Sequence, residues 1–183
     1  EGIKEPKQIP LTDKIRLINA LTATGLKRMQ IVSFVHPNLV PQMADAEEIC
    51  RQVPRTPGLS YTGTYLNVAG LKRALETQVV EVRGKVSRTA SESFARKNLN
   101  RSLKEDLDMQ YKMAGIYGEH GIPITHGTIM AAFGCNYEGR IPLDRLLTLT
   151  DSLVNLANHY QSKLQTLILA DTMGWANPAQ IRT

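Results

Sequence analysis

Three features of the sequence predict an α/β fold of parallel strands joined by helical crossovers. Apolar or β-branched runs at 29–35, 59–66, 79–86, 122–132 and 164–170 recur at spacings of roughly 30 to 40 residues, with helical patterns between them. No hairpin turn signal stands between consecutive runs, so each crossover needs a helix. Polar clusters follow the C-terminal ends of the runs, at His36 to Gln42, Asn67, Ser91 to Asn100, Cys135 to Gly139 and Asp171. That edge carries the chemistry both in barrels and in doubly wound sheets, and periodicity alone does not choose between them. The chain has 183 residues, 42% hydrophobic and 21% charged, which suits one domain spanning 1–183 with a sizeable core.

Taken in order, residues 1–10 form a polar lead-in with two prolines. Thr12 is the predicted cap of a helix whose apolar face is Leu11, Ile15, Ile18, Leu17 and Leu21, and Gly25 is its stop. The run at 29–35 alternates so that Gln30 and Ser33 fall on opposite faces, and Pro37 and Pro41 then break it into a polar loop. A short helix is predicted over 44–52, closed by Pro54, Pro57 and Gly58, and a longer one over 68–77 with Leu71 and Leu75 one turn apart. After the run at 79–86, residues 87–100 read as a long polar loop or broken helix. Ser102 with Glu105 is a capping box, opening a helix with Leu103, Leu107, Tyr111 and Ala114 as its buried stripe and Gly118 and Gly121 at its end. Pro142 suits the first turn of the last helix, whose apolar face is Leu146, Leu149, Leu153 and Leu156.

Composition excludes several classes. Twenty-two Lys and Arg against 17 Asp and Glu give +5, but the basic residues are scattered, so no nucleic-acid surface is expected. A mild positive balance suits either an ordinary solvated surface or a phosphorylated small ligand such as coenzyme A. Cys50 and Cys135 stand far apart without partners at metal-ligand spacing, which argues against a zinc site or disulfide framework and for a reducing compartment. No apolar run approaches the roughly 20 residues of a membrane span, and the N-terminus has no signal-peptide pattern, so a cytoplasmic protein without membrane contact is expected. The absence of an initiator methionine reads as a chain that is processed, trimmed or part of a longer one.

Four motifs, in order, carry a family resemblance. They are Ser33-Phe34-Val35-His36-Pro37 with Val40-Pro41-Gln42-Met43-Ala44-Asp45; Ala90-Ser91-Glu92-Ser93-Phe94 with Lys97-Asn98-Leu99-Asn100; Phe133-Gly134-Cys135-Asn136-Tyr137-Glu138-Gly139; and Ala170-Asp171-Thr172-Met173-Gly174. In order and spacing they resemble 3-hydroxy-3-methylglutaryl-CoA lyase across essentially the whole chain. The resemblance implies a TIM (β/α)8 barrel of the metal-dependent lyase and aldolase superfamily (pyruvate carboxyltransferase-type), with about five βα units in this chain and the first and last strands missing. It also implies a divalent cation, Mg2+ or Mn2+, that lowers the pKa of the substrate hydroxyl, and an acyl-CoA substrate cleaved to acetyl-CoA and a keto acid.

The same resemblance assigns residues. Glu1 falls where the family begins Asp-Gly-Leu-Gln and is the candidate metal ligand, although the family's preceding arginine is absent. Gln30 replaces a family glutamate; a neutral amide can orient oxygen atoms but cannot act as a general base. Asp171 matches a family aspartate near substrate and metal, and alternatively caps its own turn. With Gln30 it makes up the catalytic pair. Ser33, His36 and Asn67 are expected at the substrate, Asn67 also suiting a turn. Ser91, Glu92, Lys97 and Asn98 are expected on the loop at the acyl-CoA entrance, Lys97 or Arg96 meeting a CoA phosphate. Cys135 is expected to pack in its turn, His126 to sit in the core, and His120 and His159 to lie at the surface.

The family's His-x-His metal pair, its cysteine loop and its last strands would all lie beyond Thr183, so the 183-residue chain by itself is expected to be inactive. Two alternatives stand beside the lyase. One is an aldol- or Claisen-type condensing enzyme of the same superfamily, and the other is a non-catalytic acyl-CoA- or partner-binding remnant whose open strand edges are covered in a homo-oligomer.

Overall fold

The structure is a computed structural model that describes residues 8–182. The chain divides into two compact units, Glu1–Val82 and Arg83–Thr183.

In the first unit, α1 (Leu11–Thr22) leads to β1 (Arg28–Ser33), a 3-10 turn (Pro41–Met43), α2 (Ala46–Gln52), β2 (Ser60–Thr64) and α3 (Val68–Thr77). β1 and β2 pair in parallel, Gln30 opposite Thr62 and Ser33 opposite Thr64. Helix α1 starts at Leu11 on an N-cap Pro10, not on the expected Thr12. Proline's fixed φ with an extended ψ of 145° makes the entry, and no side chain caps it. Ile18 is buried but Leu17 is 60% exposed, so the apolar face is narrower than the pattern implied. Gly25 follows the helix at φ +81°, a left-handed position that its lack of a Cβ permits.

The second unit runs β3 (Gly84–Thr89), α4 (Glu92–Phe94), a π-helical turn (Ala95–Leu99), α5 (Leu103–Glu119), β4 (Ile124–Met130), a two-residue hairpin of β5 (Gly134–Cys135) and β6 (Gly139–Arg140), α6 (Leu143–His159), β7 (Thr166–Leu169) and α7 (Pro178–Arg182). β3, β4 and β7 form a parallel sheet in that order. All five long strands therefore pair in parallel, as the crossover spacing required.

Several local expectations change. The third strand lies at Gly84–Thr89, not 79–86. Its pairing with Ile124 brings the Gly84 Cα so close to the Pro123 carbonyl that any Cβ would collide with it, so the glycine marks where the strand starts. In the 87–100 stretch the broken-helix alternative is met: residues 87–89 belong to β3, and α4 runs into the π-helical turn over 92–99. A hairpin not expected from the sequence closes 134–140, with Gly139 at φ +79° after its three-residue loop. In α5 the buried face carries Asp106, Gln110, Met113, Ala114 and Tyr117, while Tyr111 is exposed. The two polar residues are accommodated because Gln110 Oε1 accepts the Ser87 N–H at 2.9 Å and Asp106 faces Arg101 at 3.8 Å. Pro142 is the N-cap of α6, one residue before its first turn. Strand β7 exposes Leu167, Ile168 and Leu169, each at 40% or more.

Candidate functional site

In the first unit, Gln30 is exposed on β1 while Ser33, at the strand's end, is buried. Both line a cavity of about 260 Å³ against α1, together with Lys14, Ile18 and Met43. Lys14 Nζ lies 2.9 Å from both Asp45 carboxylate oxygens and donates to the Gln42 carbonyl, tying α1 to the loop after β1. His36 is exposed, its Nδ1 3.3 Å from the Asn38 N–H. Asn67 is the N-cap of α3, its Oδ1 accepting the Gly70 N–H at 2.8 Å. The turn role weighed for it in the sequence is therefore present, and its carbonyl oxygen is engaged.

Sequence reasoning missed Arg73. Its guanidinium donates to the Val35 carbonyl at 2.9 Å and to Glu47 Oε2 at 3.0 Å, with its charge 5.7 Å from the centre of the Phe34 ring. This fixes the two residues that follow β1 and lead into His36. The hydrogen bonds from Arg73 hold the Glu47 carboxyl below its ordinary range against an opposing push from burial. Nothing distinguishes Arg73 in sequence from any other charge on an amphipathic helix.

In the second unit, three strand ends meet. Ser91 is fully buried, caps α4 by accepting the Phe94 N–H at 3.1 Å, and places its Oγ 3.0 Å from Cys135 Sγ. Cys135 is buried and packs in its turn. Glu92 accepts the Leu103 N–H at 3.1 Å and pairs with Arg96 at 2.7 Å, so both carboxylate oxygens hold the loop together. Lys97 Nζ stands 3.8 Å from the centre of the Tyr137 ring, and Asn98 is exposed. Asp171 is exposed beyond β7. One of its oxygens accepts the Trp175 N–H at 2.7 Å and the other the Ala176 N–H at 3.1 Å. The turn-capping arrangement is thus formed.

Glu138, in the hairpin turn, was also missed as a contact. Its Oε1 accepts the Ser93 N–H at 2.6 Å, and Arg145 lies 4.0 Å from Oε2. Burial pushes its carboxyl up, but the Ser93 N–H, the Ser93 and Ser91 hydroxyls and the Arg145 charge together hold it below the ordinary carboxylate range. Gln30, Ser33, His36 and Asn67 belong to the first unit, and Ser91, Glu92, Lys97, Asn98 and Asp171 to the second. Glu1 lies outside the described residues.

A family model described as HMGL-like matches residues 4–183. The chain belongs to this family. It is 35% identical to the hydroxymethylglutaryl-CoA lyase of Bacillus subtilis over 179 residues, covering 98% of this chain and 57% of that protein. A crystal structure of a Bacillus subtilis HMG-CoA lyase superposes with a TM-score of 0.80 at 34% identity, covering 98% of this chain and 58% of the other. An HMG-CoA lyase from Acinetobacter baumannii, in complex with coenzyme A and 3-methylmalate, gives a TM-score of 0.79 at 28% identity over 99% of this chain and 56% of that one. The fold class is accordingly that of the HMG-CoA lyase TIM barrels. The chain spans somewhat more than half the length of the relatives it matches.

The HMGL-like family is generally divalent-metal dependent. Residues 8–182 do not fit such an ion by themselves. Among the described residues no three His, Cys, Asp or Glu side chains converge to hold one. Among the described residues no helix is long and apolar enough to cross a membrane.

Proposed function

We propose that this chain is part of a divalent-metal-dependent carbon–carbon lyase that cleaves a 3-hydroxyacyl-CoA, of the 3-hydroxy-3-methylglutaryl-CoA type, to acetyl-CoA and a keto acid. The observation that carries the reading is the continuous family match over residues 4–183, with relatives named for this activity. In the reaction the 3-hydroxyl loses its proton as the bond between carbons 2 and 3 breaks. The electron pair passes to the acetyl-CoA enolate, which is then protonated. Among the expected residues Asp171 has the carboxylate chemistry to receive a proton, and Gln30 can only orient oxygen atoms. The 91–100 segment, with Lys97 and Asn98 exposed at its surface, is assigned to the acyl-CoA, and Ser33, His36 and Asn67 to the acyl part. Two buried, unpaired cysteines support a reducing, cytoplasmic location.

The test is to incubate the intact gene product with Mg2+ or Mn2+ and 3-hydroxy-3-methylglutaryl-CoA. Acetyl-CoA and acetoacetate are expected. No acetoacetate from the intact protein would overturn the lyase. Gln30, standing where the lyases carry a glutamate, suits a changed substrate or a non-catalytic site, and the second reading is a condensing enzyme of the same superfamily. Thiol release from acetyl-CoA in the presence of a 2-oxo acid would put it in the lyase's place.

A further inference from the structure

One turn of the second unit touches the 91–100 segment at three points. Cys135 Sγ meets the Ser91 hydroxyl at 3.0 Å, the Tyr137 ring meets the Lys97 ammonium at 3.8 Å, and Glu138 takes the Ser93 N–H at 2.6 Å. The first two are side chain to side chain. The third is a charge-assisted bond to the backbone and so fixes the path of the chain itself.

Ser93 lies in the first turn of α4, where backbone N–H groups have no partner inside the helix. Ser91 satisfies the Phe94 N–H from within the segment, and Glu138 satisfies Ser93 from outside it. The far end of the segment is anchored separately, by the Leu103 N–H on Glu92 and by Arg88 donating to the Leu103 carbonyl at 3.2 Å. The same turn is braced from its other side, where the Asn136 N–H meets Met173 Sδ at 3.1 Å and Trp175 Nε1 donates to Asn136 Oδ1 at 2.7 Å. Those two residues follow Asp171. The hairpin turn therefore stands between the loop carrying Lys97 and the loop carrying Asp171, in contact with both.

We propose that Glu138 is a positioning residue that clamps the 91–100 segment to the hairpin turn through the Ser93 backbone, presenting Lys97 and Asn98 to an acyl-CoA. The ligand in this statement rests on the lyase reading above; the clamp does not.

Trypsin reads the clamp directly, because Arg96 and Lys97 are both exposed. In the intact protein, Glu138→Ala is expected to speed cleavage after Arg96 and Lys97 roughly tenfold, as loss of one charge-assisted bond predicts for local opening. Cleavage after Arg16 in α1 is expected to stay unchanged. Glu138→Gln keeps an acceptor oxygen and is expected to restore most of the protection. In kinetics with 3-hydroxy-3-methylglutaryl-CoA, Glu138→Ala is expected to raise KM about tenfold with kcat within about threefold. Equal cleavage after Arg96 and Lys97 in wild type and Glu138→Ala, or an equal rise after Arg16, overturns the clamp. A fall in kcat with KM unchanged overturns its role in binding. Should the intact protein cleave no acyl-CoA, the lyase reading falls and the trypsin comparison alone still decides the clamp.

Discussion

Trp175 packs directly on Gly134: a Cβ at position 134 would lie 2.5 Å from the ring Cγ and 2.6 Å from Cε3. No side chain fits there without moving the indole, and the indole Nε1 is bonded to Asn136 in the hairpin turn. Gly134→Ala is therefore expected to cost about 1–3 kcal/mol as an overpacked contact. Trp175 is the sole tryptophan, so its fluorescence reports the displacement without a label. A red-shifted emission and a lowered denaturation midpoint are expected; an unchanged spectrum with an unchanged midpoint would show that the contact is looser than this.

What the sequence disclosed and what it hid divide along physical lines. The parallel strands, the bounds of α3 and the Ser102 and Glu105 capping box were legible because periodicity and reciprocal capping are local signals. The start of β3 was not. Val79 and Val80 look like strand, yet the ladder begins at Gly84, where an approach to Pro123 that is distant in sequence sets the register. The hairpin escaped for a simpler reason: strands of two residues have no period to detect. At the candidate site, the spacing of Ser91, Lys97 and Asp171 could be read, but their partners could not. Glu138, Arg73 and Trp175 act through contacts made across the fold, and nothing in their neighbours announces them.

Asn67 bears on both stability and binding, and two substitutions separate the roles. Its Oδ1 caps α3 through the Gly70 N–H, so Asn67→Ala is expected to cost about 1 kcal/mol. Asn67→Asp keeps an acceptor at the same place and is expected to be nearly neutral in a urea melt. If the Asp variant melts like wild type but raises KM for the acyl-CoA, the amide nitrogen contacts ligand. Equal loss of stability in both variants would deny the cap.

The Arg73 and Glu47 pair predicts an acid-side loss of stability. Hydrogen bonding to Arg73 sets the folded carboxyl below its ordinary value of 4.5, with burial opposing. A depressed folded pKa means that the stabilisation is complete above about pH 4.5 and disappears as pH falls through the lower folded value. Both side chains are partly exposed, at 26% for Arg73 and 38% for Glu47, so solvent screening limits the pair to about 0.5–1 kcal/mol. Glu47→Gln should lower the melting temperature near neutral pH and converge on wild type in acid. A constant gap across the titration would assign the effect to packing instead.

Asp106 and Arg88 make the opposite prediction. Burial pushes the Asp106 carboxyl above its ordinary value of 3.8, opposed by the Arg88 and Arg101 charges. Asp106 is 1% exposed and Arg88 7%, and each keeps one atom, Asp106 Oδ2 and Arg88 Nε, without a hydrogen bond. An acid whose folded pKa is raised destabilises the fold in its ionised form. That penalty is absent below about pH 3.8, sets in as pH rises through that value, and is complete above the folded pKa. Removing the nearby cation with Arg88→Met should enlarge it, at a cost of about 3–5 kcal/mol near neutrality, toward the lower end because Arg101 remains 3.8 Å away. The double variant Arg88→Met with Asp106→Leu removes both charges and is expected to lose less than Arg88→Met alone. Chemical denaturation of the three proteins across acid and neutral pH checks the sign. The gap between wild type and Arg88→Met should narrow on acidification and the gap for the double variant should not. A double variant less stable than Arg88→Met at neutral pH would mean that this pair contributes through packing shape rather than through charge.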